Sequence, residues 1–220
     1  MNPILKRTLT GISVGAAVVA AILFAPPKAI VPAVSCLIVL AIMEFLVLLS
    51  KKAPKIGIGS VLFALVGMAV IACGLWALAE IGLRHGNVML LYVVAIVKFS
   101  DVGGFAFGLT SAKLMKGGNH KMCPMISPGK SWEGLLGSVA LSCAVSCAFM
   151  PATGIAVGRA LAMGVVAALV GTAGDLVESK FKRWVGVKDS SALRITNGMG
   201  GVLDMLDSLI IAPAVMLAML

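Results

Sequence analysis

The sequence predicts an all-α, polytopic transmembrane helical bundle of about seven spanning helices with a cytoplasmic N-terminus, and three observations carry that reading. Of its 220 residues, 60% are hydrophobic and 12% charged, whereas a soluble globular domain carries about 25% charged residues. Apolar stretches at 8–25, 29–49, 57–83, 87–109, 134–150, 155–176 and 201–219 reach or approach the ~20 residues that cross a ~30 Å hydrocarbon core. Lysine and arginine collect in alternate loops, as cytoplasmic loops require.

The breakers between these stretches are Pro26-Pro27, Pro54, Gly86, the segment 110–133, Pro151 with Gly154, and the segment 179–200. Lys6 and Arg7, then Lys51, Lys52 and Lys55, then Lys113, Lys116, Lys121 and Lys130, then Lys180, Lys182, Arg183, Lys188 and Arg194 make up most of the 18 basic residues. The intervening loops hold Lys28 and Arg84, with Arg159 close by. An odd number of spans with the C-terminus outside fits this alternation. Lys6 and Arg7 ahead of an apolar run also resemble a secretory signal, but the pattern repeats along the chain and the run from Leu9 is about long enough to span. The stretches far exceed the ~10 residues of a barrel strand and lack strict alternation, so they read as helices. Gly103, Gly104 and Gly108, and Gly164 and Gly171, would let helices approach closely. The chain reads as a single integral membrane domain, with N-terminal helices over 1–95 and a catalytic half over 96–220 that carries the loops 110–133 and 179–200.

The formal charge is +9. Basic residues in short loops between apolar segments suit anionic lipid headgroups better than nucleic acid. Cys36, Cys73, Cys143 and Cys147 lie in apolar runs and the total of five is odd, so no disulfide framework is expected.

Acids are scarce, nine in all. Glu44 and Glu80 stand alone, and Asp101, Glu133, Asp175, Glu178, Asp189, Asp204 and Asp207 lie in or beside the two long basic loops. An acid in a membrane is costly and marks function by default. Asp204 and Asp207, at i and i+3, share one face at the start of the last helix, and Asp175 reaches the same place across the loop. Mg²⁺ is held by one or two carboxylates, with phosphates and water completing its shell. The helix macrodipole alone would also favour two acids at an N-terminus, but Asp175, Glu178 and Asp189 nearby favour a cation site. Lys182, Arg183, Lys188, Ser190 and Ser191, followed by Asn197-Gly198-Met199-Gly200-Gly201, supply cations, hydroxyls and close-approaching backbone N–H groups for phosphate oxygens. Positive-inside topology accounts for basic residues alone, but not for the carboxylates among them. In the earlier loop, Ser127-Pro128-Gly129-Lys130-Ser131-Trp132-Glu133-Gly134 reads either as a phosphate-binding turn or as a plain loop and helix cap. Lys98 and Asp101 read equally as a structural ion pair or as the wall of a polar cavity. His85 and His120 lack partners at zinc spacing, the serines lack a histidine base, and there is no P-loop. A transporter would need polar residues through the midplane, open to both faces, whereas these gather toward one.

Ser179-Lys180-Phe181-Lys182-Arg183, four residues, Lys188-Asp189-Ser190-Ser191, then Gly198-Met199-Gly200-Gly201, two residues, and Asp204-Met205-Leu206-Asp207 resemble the long gapped signature of the phosphatidate cytidylyltransferase (CDP-diacylglycerol synthase) family. Gly174-Asp175-Leu176, the 127–134 loop, and Asp101 ahead of Gly103-Gly104-Phe105 are similar too, so the resemblance covers about 95–210. It implies transfer of a cytidylyl group from CTP to phosphatidic acid, giving CDP-diacylglycerol and pyrophosphate, at the cytoplasmic side of a bacterial-type inner membrane. It implies Lys182, Arg183, Lys188 and Asp189 as catalytic residues. Ser127, Lys130, Ser131, Ser179, Ser190, Ser191, Gly200 and Gly201 would bind substrate. Asp175, Asp204 and Asp207 would bind Mg²⁺, alone or with a second cation. The partners implied are CTP, phosphatidic acid and membrane lipids, with no nucleic acid, for a monomer or a homodimer. Asn197, Met199 and Met205 stand where the family has proline, histidine and arginine, and the N-terminal part reads as shorter than in a full member. The alternative is an altered relative that acts on, or only binds, another lipid phosphate.

Overall fold

Backbone groups in hydrocarbon have no water to bond, so apolar runs of this length satisfy their hydrogen bonds internally. The computed structural model describes the backbone of residues 3–52, 57–187 and 201–220, with side chains from Ser13 onward except Lys52. Its described residues form α1 (Pro3–Phe24), α2 (Pro27–Lys52), α3 (Ile58–His85), α4 (Asn87–Leu114), β1 (Lys121–Cys123), β2 (Ser127–Ser131), α5 (Trp132–Thr153), α6 (Val157–Val185) and α7 (Val202–Met219). Among the described residues, α2 to α7 give six helices long and apolar enough to cross a membrane. All the predicted apolar stretches fall on helices.

The departures lie at the ends. The helix α6 continues beyond its apolar stretch to Val185, so Glu178, Lys182 and Arg183, expected in or beside a loop over 179–200, are helical. Glu178 and Lys182, four apart, pair along its face, which supports the extra turns. Gly186, at φ 87°, ends it. In α5, Pro151 sits inside the last turn and the helix ends at Gly154, in the left-handed region at φ 70°. The segment 110–133 holds the end of α4, the start of α5 and an antiparallel hairpin, with Lys121 opposite Ser131 and Cys123 opposite Ser127. The hairpin escaped the sequence reading because β2 contains Pro128 and Gly129, both poor strand residues.

Close helix approach depends on residues without bulk. A Cβ on Gly137 would overlap Phe107, and one on Gly103 would overlap the Gly137 carbonyl, so α4 and α5 meet backbone to backbone. Gly164 of α6 lies against the Cys143 backbone of α5, and Gly74 of α3 against the Ile210 carbonyl of α7. Such small-residue seams replace the hydrophobic drive that lipid removes. The core runs from Ile30 and Leu48 through Leu75, Tyr92 and Ile96 to Met163 and Met216. Leu62, Phe105 and Leu136 face outward, 61%, 71% and 70% exposed, as lipid-facing side chains do.

Gly137→Val is expected to lower unfolding stability in detergent by about 1–3 kcal/mol through overpacking. Gly59→Val, where a Cβ meets nothing within 4 Å, is expected to leave it nearly unchanged. Equal losses in the two would contradict the seam.

Candidate active site

Lys130 is aimed by the start of α5. Ser131 is its N-cap, with Oγ accepting the Gly134 N–H at 3.1 Å. Glu133, in the first turn, accepts the backbone N–H of His120 and lies 2.6 Å from its ring Nδ1, tying the hairpin to the helix. With the strand fixed, Lys130 Nζ donates to Asp175 Oδ2 at 2.7 Å and to the Thr172 carbonyl at 3.2 Å on α6. This pair borders a cavity of about 240 Å³ whose other polar walls are Asp101, Ser127, Ser131 and Ser138. Gly104, Gly129 and Gly134 line it as well; a Cβ at Gly129 would meet nothing, whereas one at Gly104 or Gly134 would press on Ser138 or on the Gly104 carbonyl.

A second charged group stands between α6 and α7. Lys182 Nζ donates to Asp204 Oδ1 at 2.5 Å and lies 2.6 Å from Glu178 Oε2. The three side chains are only 13%, 16% and 6% exposed. The remaining oxygen of Asp204, Oδ2, accepts the Gly201 N–H at 3.0 Å, so its orientation follows from the first turn of α7. The two helices cross where a Cβ on Gly174 would lie 2.8 Å from the Asp207 carbonyl, with Gly171 against Ser208.

A third network joins α4 to α7. Lys98 Nζ donates to Ser208 Oγ at 2.8 Å, the Met205 carbonyl at 3.0 Å and Asp101 Oδ2 at 3.3 Å, while the Ser208 hydroxyl donates to Asp101 at 2.9 Å. Lys98 and Asp101 are therefore an ion pair, and Asp101 also walls the cavity. Asp207 Oδ1 accepts the Ser208 N–H at 2.6 Å, and its charged neighbours include Asp175, Lys98, Asp101 and Glu178.

Among the described residues, five carboxylates (Asp101, Asp175, Glu178, Asp204 and Asp207) share this end with three ammonium groups (Lys98, Lys130 and Lys182), a formal excess of two negative charges. Among the described residues, Asp175 Oδ1 and Glu178 Oε1 are buried without a hydrogen-bond partner. Unpartnered buried oxygens in a negative setting fit a divalent cation. Among the described residues no three acids, histidines or cysteines form a ready cage. Mg²⁺ does not require one, since phosphate and water complete its shell.

Of the predicted residues, the structure gathers Ser127, Lys130, Ser131 and Asp175 at the cavity, Lys182 and Asp204 in the α6–α7 cluster, and Asp207 beside Asp175. Arg183 is exposed and donates to the Val187 carbonyl at 3.4 Å, and half-buried Ser179 is not among the cavity's lining residues. Lys188, Asp189, Ser190, Ser191 and Gly200 lie outside the described residues. Gly201 is the N-cap of α7, and a Cβ there would overlap an unpredicted neighbour, the carboxylate of Glu44. Glu44, wholly buried on α2, accepts the Leu203 N–H at 2.8 Å. The cost of an acid within an apolar run was the signal that could have found it, but its contact is 159 residues away in sequence.

Fold and charge together define an integral membrane protein whose acids and lysines converge on one end of a helical bundle. The sequence matches the Cytidylyltransferase family over residues 6–220. The chain belongs to that family. It is 38% identical over 148 residues to the phosphatidate cytidylyltransferase of Staphylococcus aureus strain COL, covering 66% of this chain and 54% of that protein. It is 40% identical over 131 residues to that of Haemophilus influenzae, covering 57% of this chain and 43% of the relative. The chain spans about half the length of the curated relatives it matches.

Lys182→Met leaves Glu178 and Asp204 facing each other without their shared cation. It is expected to cost about 3 kcal/mol of stability, with Glu178→Gln in the same background recovering part. Chemical unfolding in detergent checks this, and an unchanged stability in Lys182→Met would show the cluster to be energetically idle.

Proposed function

We propose that this chain carries the site for transfer of a cytidylyl group from CTP to phosphatidic acid, giving CDP-diacylglycerol and pyrophosphate. The observation that carries the reading is the convergence of Lys130, Lys182, Asp175, Asp204 and Asp207 across the hairpin, α6 and α7 in a chain of the cytidylyltransferase family. A phosphate oxygen of phosphatidic acid attacks the α-phosphorus of CTP. A new P–O bond forms there, the bond from the α-phosphorus to the oxygen bridging the β-phosphorus breaks, and pyrophosphate leaves with that bond's electrons.

Both reactants are polyanions, so the site must first offset their repulsion. Lys130 and Lys182 stand ready in carboxylate ion pairs, and each exchanges its carboxylate for a phosphate oxygen when substrate enters. The ammonium groups thus stay at the site while the carboxylates are released. Asp175, Asp204 and Asp207 would hold Mg²⁺, which would stabilise negative charge on the triphosphate and the leaving pyrophosphate. Ser127 lines the cavity beside Lys130 and contributes a hydroxyl to the nucleotide phosphates, and Ser131 orients Lys130 through the cap. Lys188, Asp189, Ser190, Ser191 and Gly200 complete the site on the strength of the signature. The alternating basic loops support a reading in which this end faces the cytoplasmic side of the inner membrane, where CTP is available.

Purified protein in mixed micelles with CTP labelled at the α-phosphate, Mg²⁺ and phosphatidic acid is expected to yield labelled CDP-lipid. Asp204→Asn and Asp207→Asn are each expected to lower turnover by on the order of 10²–10³-fold. No labelled lipid with any divalent cation would overturn the function. Full activity in both variants would overturn the metal assignment.

A further inference from the structure

Among the described residues, the N-cap position of α7 supplies no capping side chain. Its N-cap residue is Gly201, which has no side chain, yet Asp204 at the third helical position and Asp207 one turn on depend on how this turn is held. The usual capping group is a side-chain oxygen that accepts the N–H of the second or third helical residue. Here that oxygen comes from another helix. Glu44 of α2 is 0% exposed, and its Oε2 accepts the N–H of Leu203, the second residue of α7, at 2.8 Å. Among the described residues its other oxygen, Oε1, finds no hydrogen-bond partner. A Cβ on Gly201 would overlap the same carboxylate. The Gly201 φ is −88°, a value any residue adopts, so glycine is needed here for space rather than for conformation.

We infer that Glu44 is a positioning residue that caps α7 from α2, and that Gly201 is small so that this carboxylate can enter. Capping fixes the first turn, in which Asp204 divides its oxygens between the Gly201 N–H and Lys182. Glu44 thereby sets the direction of the acids of α7 without touching substrate. This deepens the proposed function and rests on it for the catalytic consequence, while the capping itself stands on the contacts alone.

The test is a double-mutant cycle in the full chain, in detergent–lipid micelles. Glu44→Ala removes the cap, and Gly201→Ser alone forces a side chain against Glu44, so each is damaging. Together they are expected to recover, because the introduced serine then has both the space and the hydroxyl to cap in cis. One readout is hydrogen exchange of the first-turn amides of α7, expected to speed up by about tenfold in Glu44→Ala and to slow again in the double variant. The other is the Mg²⁺ concentration for half-maximal CDP-lipid formation, expected to rise by about tenfold or more in Glu44→Ala. A merely structural core acid predicts additive damage and an unaltered Mg²⁺ requirement, and either result overturns the inference. If Glu44→Ala does not fold, Glu44→Gln, which keeps an acceptor oxygen, is expected to retain slow exchange at Leu203, and fast exchange there would overturn the cap. If the unaltered protein makes no CDP-lipid, the proposed function fails while the exchange cycle still decides the role of Glu44.

Discussion

The crossing of α6 over α7 at Gly171 and Gly174 is the constraint on which the rest of the site depends. With no side chain at Gly174, the two backbones come close enough for the Asp207 carbonyl to lie against it. Asp175 and Glu178 then share one end of the bundle with Asp204 and Asp207. Acids brought this close in an apolar bundle repel each other and lose hydration, so each arrangement must include cations or hydrogen bonds. Lysines arrive from three directions. Lys130 comes on the hairpin, Lys98 on α4, and Lys182 one turn further along α6.

This compensation stops short of neutrality. Among the described residues, five carboxylates meet three ammonium groups, and buried oxygens of Asp175 and Glu178 have no partner. A site optimised for stability alone would not leave them so. Incomplete pairing favours an incoming cation, and the lysines already present can turn to an incoming polyanion. The arrangement is consistent with the proposed site for a metal-bound phosphate chain. Its supports reach well beyond the signature region, because α2 supplies Glu44 and α3 packs Gly74 against the Ile210 carbonyl of α7.

Much of this was legible in the sequence. Apolar run length located the helices because the bilayer imposes it, and the scarcity of acids made Asp175, Asp204 and Asp207 conspicuous. Glycine positions foretold close approach, and Gly103, Gly164 and Gly171 do sit at helix contacts. Helix ends were less legible. The turns of α6 from Glu178 to Val185 are polar, so apolar length could not reveal them, and pairing along the helix holds them instead. The hairpin is too short and too rich in turn residues to show a strand pattern. Glu44 stayed hidden for a different reason. A lone acid in an apolar run announces that it has a partner, but not that the partner is a backbone N–H 159 residues away.

The central claim is that the acids and lysines at the α6–α7 crossing form one site for a metal-bound nucleotide triphosphate. The most direct measurement is an experimental structure of the chain with CTP and Mg²⁺. The account predicts the triphosphate between Lys130 and Lys182, with the metal against Asp175, Asp204 and Asp207. Nucleotide bound away from this crossing, with both lysines still paired to their carboxylates, would contradict it.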